Sequence, residues 1–382
     1  MGYSYPYVLL LLFFGICAFL FENTEKEEKK SYITALAISV FVIFFGFRGY
    51  IYTDWIGYTE MFRRIEWSDV YTIDLTKDSV REPGFQILCL VVKNLTGSYI
   101  CLNLVITLIY ISLLTRFCRQ FEINNISLLL MLFTAMEGTG MILNLLRNCI
   151  SMGIWLNSLV FIRDRRPLPY FALCLLALTF HLSSIIFFPL YFIHKKTNKW
   201  VFLGLFIFFF LFFISKTSIV LSIIQILGLE GVLGAKAEAY TEYFTVERGI
   251  NPSKTLETFA LVSLIMVYYD DILDKFKGRH IFINCLLIYF FMYYFLGEFK
   301  TLSERMSLLF VFARWILWID IIHILIIENN RKLLAGIIFA YCLYMTARNL
   351  NEPILEYDNV LFGAKTEAQR RQVFYKIVQD DE

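Results

Sequence analysis

The chain has 382 residues, 58% of them hydrophobic and only 18% charged, with a formal net charge of +2. A soluble domain carries about 25% charged residues, so the composition excludes a large soluble core and predicts an all-α, polytopic integral membrane protein. The near-neutral charge gives no argument for nucleic acid. Cys17, Cys89, Cys101, Cys118, Cys149, Cys174, Cys285 and Cys342 lie mostly in apolar segments and form no CxxC pair. They read as buried thiols rather than disulfides or metal ligands.

Loop charge orients the spans, because Lys and Arg favour the cytoplasmic side. Met1 to Phe21 lacks a basic n-region, and no small-residue cleavage site precedes Glu22–Lys30, so it reads as a retained first span. Lys26, Lys29 and Lys30 place the next loop inside. Ser31–Phe47 returns to the outer face and ends in FRGYIYTDWIGY, Phe47 to Tyr58, where Arg48 and Asp54 stand among Trp and Tyr rings that favour the headgroup level. Residues 48–81 form the first long outer loop.

Glu82-Pro83-Gly84-Phe85 opens an apolar piece of about 12 residues, about 18 Å long as a helix. That is short of the ~30 Å of hydrocarbon, so the piece reads as re-entrant or interfacial. Pro83 suits its first turn. Tyr99–Thr115 crosses to Arg116 and Arg119 inside, and Ile126–Leu143 returns outward with Asn144, Arg147 and Asn148 spaced to share one helix face. Cys149–Ile162 runs inward to Arg163-Asp164-Arg165-Arg166.

Residues 167–193 admit two readings. One tilted helix leaves His181 at mid-bilayer. Two short helices meeting near His181 put the histidine on the outer side and Lys195, Lys196 and Lys199 inside, which the lysine count favours. Trp200–Ile214 then goes out to a second long outer loop, 215–254, with Tyr240, Tyr243 and Phe244. Thr255–Tyr269 comes in to Lys275, Lys277 and Arg279, and Ile281–Leu296 goes out. Ser303-Glu304-Arg305 heads a helix running in to Arg331 and Lys332, and Leu333–Thr346 goes out. The expectation is about 12 spans (roughly 10 to 13) in a single transmembrane domain, 1–350, followed by a polar C-terminal tail, 351–382.

On this topology Arg48, Asp54, Glu82, Arg147, His181 and Arg305 all meet the outer ends of helices. Ionisable groups at membrane depth usually face a cavity or a partner. Each also has a plainer reading. An arginine at a helix end snorkels to headgroups, and Glu82 caps the helix behind Pro83. Asp54 pairs with Arg48, His181 bonds a carbonyl, and Arg305 pairs with Glu298 or Glu304. Convergence on one face favours a site. Arginine forks match phosphate oxygens with parallel bonds, a carboxylate or imidazole can take a hydroxyl proton, and outer aromatics suit sugar rings. Together they describe a site for a lipid-linked sugar diphosphate.

The ordered set FR…TDW…Y (Arg48, Asp54, Tyr58), EPGF (Glu82–Phe85), LRNCIS (Leu146–Ser151), LA-x-x-FH-x-S (Leu176–Ser183) and ER (Glu304, Arg305) resembles the EpsG-like family of Wzy-type polysaccharide polymerases. The resemblance runs from about residue 40 to about residue 315. It departs from the family pattern at Tyr52, Trp55, Asn148 and Ser151, which leaves the charged positions in place but alters the sugar pocket. The resemblance implies a glycosyltransferase that needs no metal or cofactor, on the outer face of the bacterial cytoplasmic membrane. It would join undecaprenyl-diphosphate-linked oligosaccharide repeat units into O-antigen, capsule or exopolysaccharide. In that scheme Arg147 and Arg305 hold the donor diphosphate, helped by Arg48. His181 or Glu82 activates the acceptor hydroxyl, and Asp54 orients Arg48 or binds sugar. Tyr58, Asn144, Asn148 and Glu304 complete the substrate site. The implied partners are the lipid-linked substrates, membrane lipid, a chain-length regulator and a flippase. The rival readings are an O-antigen ligase-type transferase, a transporter or flippase of lipid-linked sugars, and a multi-span O-acyltransferase.

Overall fold

The computed structural model describes residues 2–71, 82–215 and 250–380, and these are helices joined by turns, with one isolated β-bridge between Arg48 and Asn359. Tyr240, Tyr243, Phe244 and the rest of 216–249 lie outside the described residues, as does 72–81 of the first outer loop. The chain forms two compact units, Met1–Phe192 with Lys332–Glu382, and Ile193–Arg331.

The first unit begins with α1 (Tyr5–Glu22) and α2 (Glu27–Gly46), followed by the short α3 (Trp55–Arg64) and α4 (Trp67–Tyr71). Next come α5 (Pro83–Thr96), α6 (Tyr99–Gln120), α7 (Ile126–Ala135), α8 (Gly138–Asn144), α9 (Leu146–Leu156), α10 (Leu159–Arg163) and α11 (Pro167–Phe180). A full crossing takes about 20 apolar residues. Among the described residues Tyr5–Glu22, Glu27–Gly46, Tyr99–Gln120 and Arg279–Gly297 meet that test, which gives four candidate spans. Counting the bent pairs Ile126–Ala135 with Gly138–Asn144 (76°) and Leu302–Leu308 with Phe312–Ile324 (49°) gives six. The expected count of about twelve is not confirmed among the described residues, in part because several apolar runs are short or broken. Glu137 takes a left-handed φ of 70°, and Leu145 (φ −102°, ψ 60°) separates α8 from α9. These breaks also cancel the single helix face expected for Asn144, Arg147 and Asn148.

Residues 167–193 resolve into the two-piece reading. Helix α11 stops because His181 is extended (φ −157°, ψ 127°), and Leu182–Phe192 continues as a 3-10 helix with Pro189 inside it. The second piece folds back along the first: the Tyr170 hydroxyl donates to the Phe187 carbonyl at 2.5 Å, and its ring lies 5.3 Å from that of Tyr191. Residue 181 therefore sits at the tip of a hairpin.

Residues after Asn349 belong to the first unit and return to the loop around Arg48, rather than trailing away as a tail. The second unit packs α12 (Lys199–Ser215) with Pro252–Val267, Arg279–Tyr293 and Phe312–Ile324 through an aromatic core, in which Phe206 meets Phe259, Phe290 and Tyr294. Two buried ion pairs fasten it: Arg314 to Glu257 at 2.6 Å and Arg279 to Asp320 at 2.7 Å.

Candidate active site at the EPGF helix

Glu82 is the centre of the site. Pro83 occupies the first turn of α5, where a missing N–H costs nothing, and Gly97 closes the helix in a left-handed conformation, its N–H bonded to the Lys93 carbonyl at 2.8 Å. Phe85, Cys89 and Val92 form the buried face, the i, i+4, i+7 spacing of a helix stripe. Glu82 itself is extended (φ −103°, ψ 95°), and its side chain makes no capping bond to its own helix. The plain capping reading therefore fails. The carboxylate instead crosses to two other elements while only 6% exposed.

One carboxylate oxygen, Oε2, accepts from Arg147 Nη1 at 2.8 Å. The other, Oε1, meets His181 Nδ1 at 2.6 Å and accepts the Leu182 backbone N–H at 2.9 Å. The last contact follows from the break at His181. Ending α11 leaves the next N–H without an intrahelical partner, and Glu82 satisfies it. Burial raises the carboxyl group's pKa, but the His181 hydrogen bond and the Arg147 charge outweigh it and hold Glu82 below the ordinary carboxylate range. An ionised Glu82 can only accept, so His181 Nδ1 is the donor in this contact, and in the neutral ring Nε2 holds the lone pair. Nε2 carries no hydrogen bond among the described residues. The imidazole is 19% exposed.

Arg147 differs from the other expected arginines. It opens the first turn of α9, its side chain is 37% exposed, and its guanidinium lies 5.7 Å from the ring centroid of buried Tyr58. Its Nε–H has no hydrogen-bond partner among the described residues. Arg48 is 2% exposed and both its terminal nitrogens are engaged: Nη1 donates to the Phe45 carbonyl, and Nη2 to Asn103 Oδ1 at 3.2 Å and to the Ile142 carbonyl at 3.0 Å. It ties α2 and α6 to α8, and among the described residues no hydrogen bond joins it to Glu82. Asp54 does not pair with Arg48; it accepts from the Thr53 hydroxyl at 3.2 Å. Asn144 Oδ1 accepts from the Thr53 and Asp54 backbone N–H groups, at 3.2 Å and 2.7 Å, and so clips the FRGYIYTD loop to the end of α8. Asn148 is buried one residue after Arg147. Glu304 and Arg305 are exposed on Lys300–Leu308 of the second unit.

The first unit therefore joins Glu82, Arg147, His181 and Tyr58 in one constellation. Arg48, Asp54 and Asn144 form a second, structural one beside it. Such an arrangement combines an oriented base, an ionised hub and a cation with an unspent donor. Among the described residues no three His, Cys, Asp or Glu side chains converge as metal ligands do, and every cysteine is a free thiol. Two features were missed in the sequence. One is the charged pair Arg314–Glu257, with Trp318 Nε1 donating to Glu257 at 2.6 Å; its signal was an ionisable residue inside each of two apolar runs. The other is the reason for Gly84. A Cβ there would stand 2.4 Å from Thr179 Oγ1 and 3.1 Å from the Thr179 carbonyl, two residues before His181.

Gly84→Ala is accordingly expected to overpack the α5–α11 contact, cost about 1–3 kcal/mol and pull Glu82 off His181. Melting in detergent measures it. Thr179→Ala, which removes the nearest atom, should recover part of the loss; an unchanged melting temperature in Gly84→Ala would remove this explanation of the glycine.

The fold and site define an all-helical membrane protein with a polar constellation at helix ends. The chain belongs to the EpsG family, whose model matches residues 30–359 of its 382. That family points to a membrane polysaccharide polymerase-type function, so the chain is a transmembrane protein of polysaccharide biosynthesis. No curated protein and no solved structure matches it.

Proposed function

We propose that this protein is a membrane glycosyltransferase that polymerises undecaprenyl-diphosphate-linked oligosaccharide repeat units on the outer face of the bacterial cytoplasmic membrane. The observation that carries the reading is the Glu82–Arg147–His181 constellation in a chain of the EpsG family. In this reading the acceptor hydroxyl of one repeat unit attacks the anomeric carbon of the growing glycan. The carbon–oxygen bond to undecaprenyl diphosphate breaks, and the proton passes to His181 Nε2. Glu82 holds the ring and stabilises the imidazolium. Arg147 turns its free donor and charge to the departing diphosphate, which needs no metal to be a competent leaving group.

Tyr58 and Asn148 flank Arg147 and contribute to the sugar pocket. Arg48, Asp54 and Asn144 shape the loop above the pocket. The chain crosses the membrane about twelve times, the broken helices counting as paired short segments.

The test is reconstitution. Purified protein in liposomes, supplied with lipid-linked repeat units, is expected to yield a ladder of lengthened glycans and free undecaprenyl diphosphate, read by gel and mass spectrometry. Unextended repeat units would reject the polymerase. Transfer of glycan onto another acceptor without lengthening would favour the ligase-type reading instead.

A further inference from the structure

The segment beyond Asn349 is bound to the loop that carries Arg48 and Asp54, and this binding is made by backbone. Gly49 N–H donates to the Asp358 carbonyl at 2.9 Å, Val360 N–H to the Phe47 carbonyl at 2.9 Å, and Tyr52 N–H to the Ile354 carbonyl at 3.1 Å. These bonds frame the isolated bridge between Arg48 and Asn359. Tyr52 takes a left-handed φ of 76°, which costs a residue with a Cβ about 1–3 kcal/mol and persists only where its surroundings impose it. Gly49 allows the close approach: a Cβ there would lie 3.2–3.3 Å from the Asp358 side chain.

Side chains lock the same segment. Tyr357 stacks on Phe44 at 4.0 Å and donates to its carbonyl at 3.0 Å, and buried Arg370 binds Asp358 and Glu356. The helix Glu367–Asp380 then grips α3 from outside, through Glu367 to Arg63 and Arg371 to Glu60. The inner side of α3 carries Tyr58, the ring under Arg147. From its other side the loop is clipped by Asn144, three residues before Arg147.

We propose that residues 351–371 are a positioning strap for the active site. They set the FRGYIYTD loop and α3, and through Tyr58 and Asn144 they set Arg147. The strap touches no substrate and acts only through these contacts. Its role in turnover rests on the polymerase reading; its role in holding Arg147 does not.

Val360→Pro tests it. The Val360 side chain is 43% exposed, so its replacement disturbs little packing. Proline removes the N–H that grips Phe47 and puts a ring carbon in its place. The position tolerates it, because Val360 opens the 3-10 turn Val360–Phe362 and Asn359 is already extended (φ −143°, ψ 128°), as a residue before proline must be. Val360→Ala keeps the N–H and is the control. Hydrogen exchange of the full-length protein in liposomes should speed up about tenfold or more at amides 52–60 and 149–151 in the proline variant, and remain unchanged in α7. In the reconstituted polymerisation kcat should fall roughly 10- to 100-fold with KM within about twofold, while Val360→Ala behaves as the native chain.

If exchange at 149–151 is the same in both variants, the strap does not hold Arg147 and the inference fails, whatever the activity. If exchange rises but kcat does not fall, the strap is structural only and its proposed part in turnover is overturned. A native chain that makes no polymer sinks the polymerase reading instead, and the exchange result still decides the strap. Gly49→Ala, a milder wedge against Asp358, is measured the same way if the proline variant is not recovered from membranes.

Discussion

Replacing Arg147 with alanine is expected to stop chain growth while single lipid-linked repeat units persist. Losing one preorganised donor at a developing charge costs about 10²- to 10³-fold, and an arginine on a departing phosphate costs about 10³- to 10⁵-fold. A fall in turnover of roughly 10³-fold or more is therefore expected here. Arg147 is singled out over Arg48 by its surroundings. Arg48 spends both terminal nitrogens on protein oxygens and is sealed from solvent, whereas the Arg147 side chain is 37% exposed and spends Nη1 on Glu82. Arg147→Lys keeps the charge but loses the planar fork, so it should retain some binding and little turnover. Arg48→Lys should instead lower stability, because one ammonium cannot serve Phe45, Asn103 and Ile142 in the same geometry. Melting temperature and polymer length, measured together on the purified variants, separate the two arginines. Long polymer made by Arg147→Ala would remove that residue from the chemistry.

Changes at His181 and Glu82 have the second largest expected effect. General-base assistance is worth about 10²- to 10⁴-fold, so His181→Asn should lose turnover on that scale with little change in stability. The Glu82 effect has a different origin. Glutamine at this position fills the same volume, and its carbonyl can still accept from one neighbour. Its amide, however, turns a donor toward either the Arg147 fork or the His181 Nδ1–H. It also removes the negative charge that would stabilise the imidazolium. Glu82→Gln should therefore match the His181 variant in rate loss without touching substrate. A Glu82→Gln variant that polymerises normally would mean that the ring needs no holder.

Loop charge alone assigns Glu82, Arg147 and His181 to helix ends on one face, and the structure brings these three side chains into contact. The hairpin at 167–193 was legible because the count of Lys195, Lys196 and Lys199 favours two short pieces over one long helix. Arg48 was not. A cation at a helix end is expected to reach for headgroups, but the Arg48 side chain folds back onto the carbonyl of Phe45, a choice that depends on Asn103 and Ile142, remote in sequence. The Arg314–Glu257 pair was hidden because each residue lies in an apolar run where averaging suppresses a lone charge, and only packing brings the two helices together. The described residues hold four to six candidate spans where loop charge suggests twelve, in part because hydropathy counts apolar residues and does not register backbone breaks at Glu137, Leu145 and His181. The C-terminal segment reads as a solvated tail by composition. Its charges are in fact used on Glu60, Arg63 and one another.

The most direct test of the central claim is the rate cycle formed by His181→Asn, Glu82→Gln and the double variant in reconstituted polymerisation. If the two side chains act as one unit, the double variant is no slower than the slower single variant to within about threefold. Losses that multiply would make the two residues independent, and single variants at the native rate would place the chemistry elsewhere in the molecule.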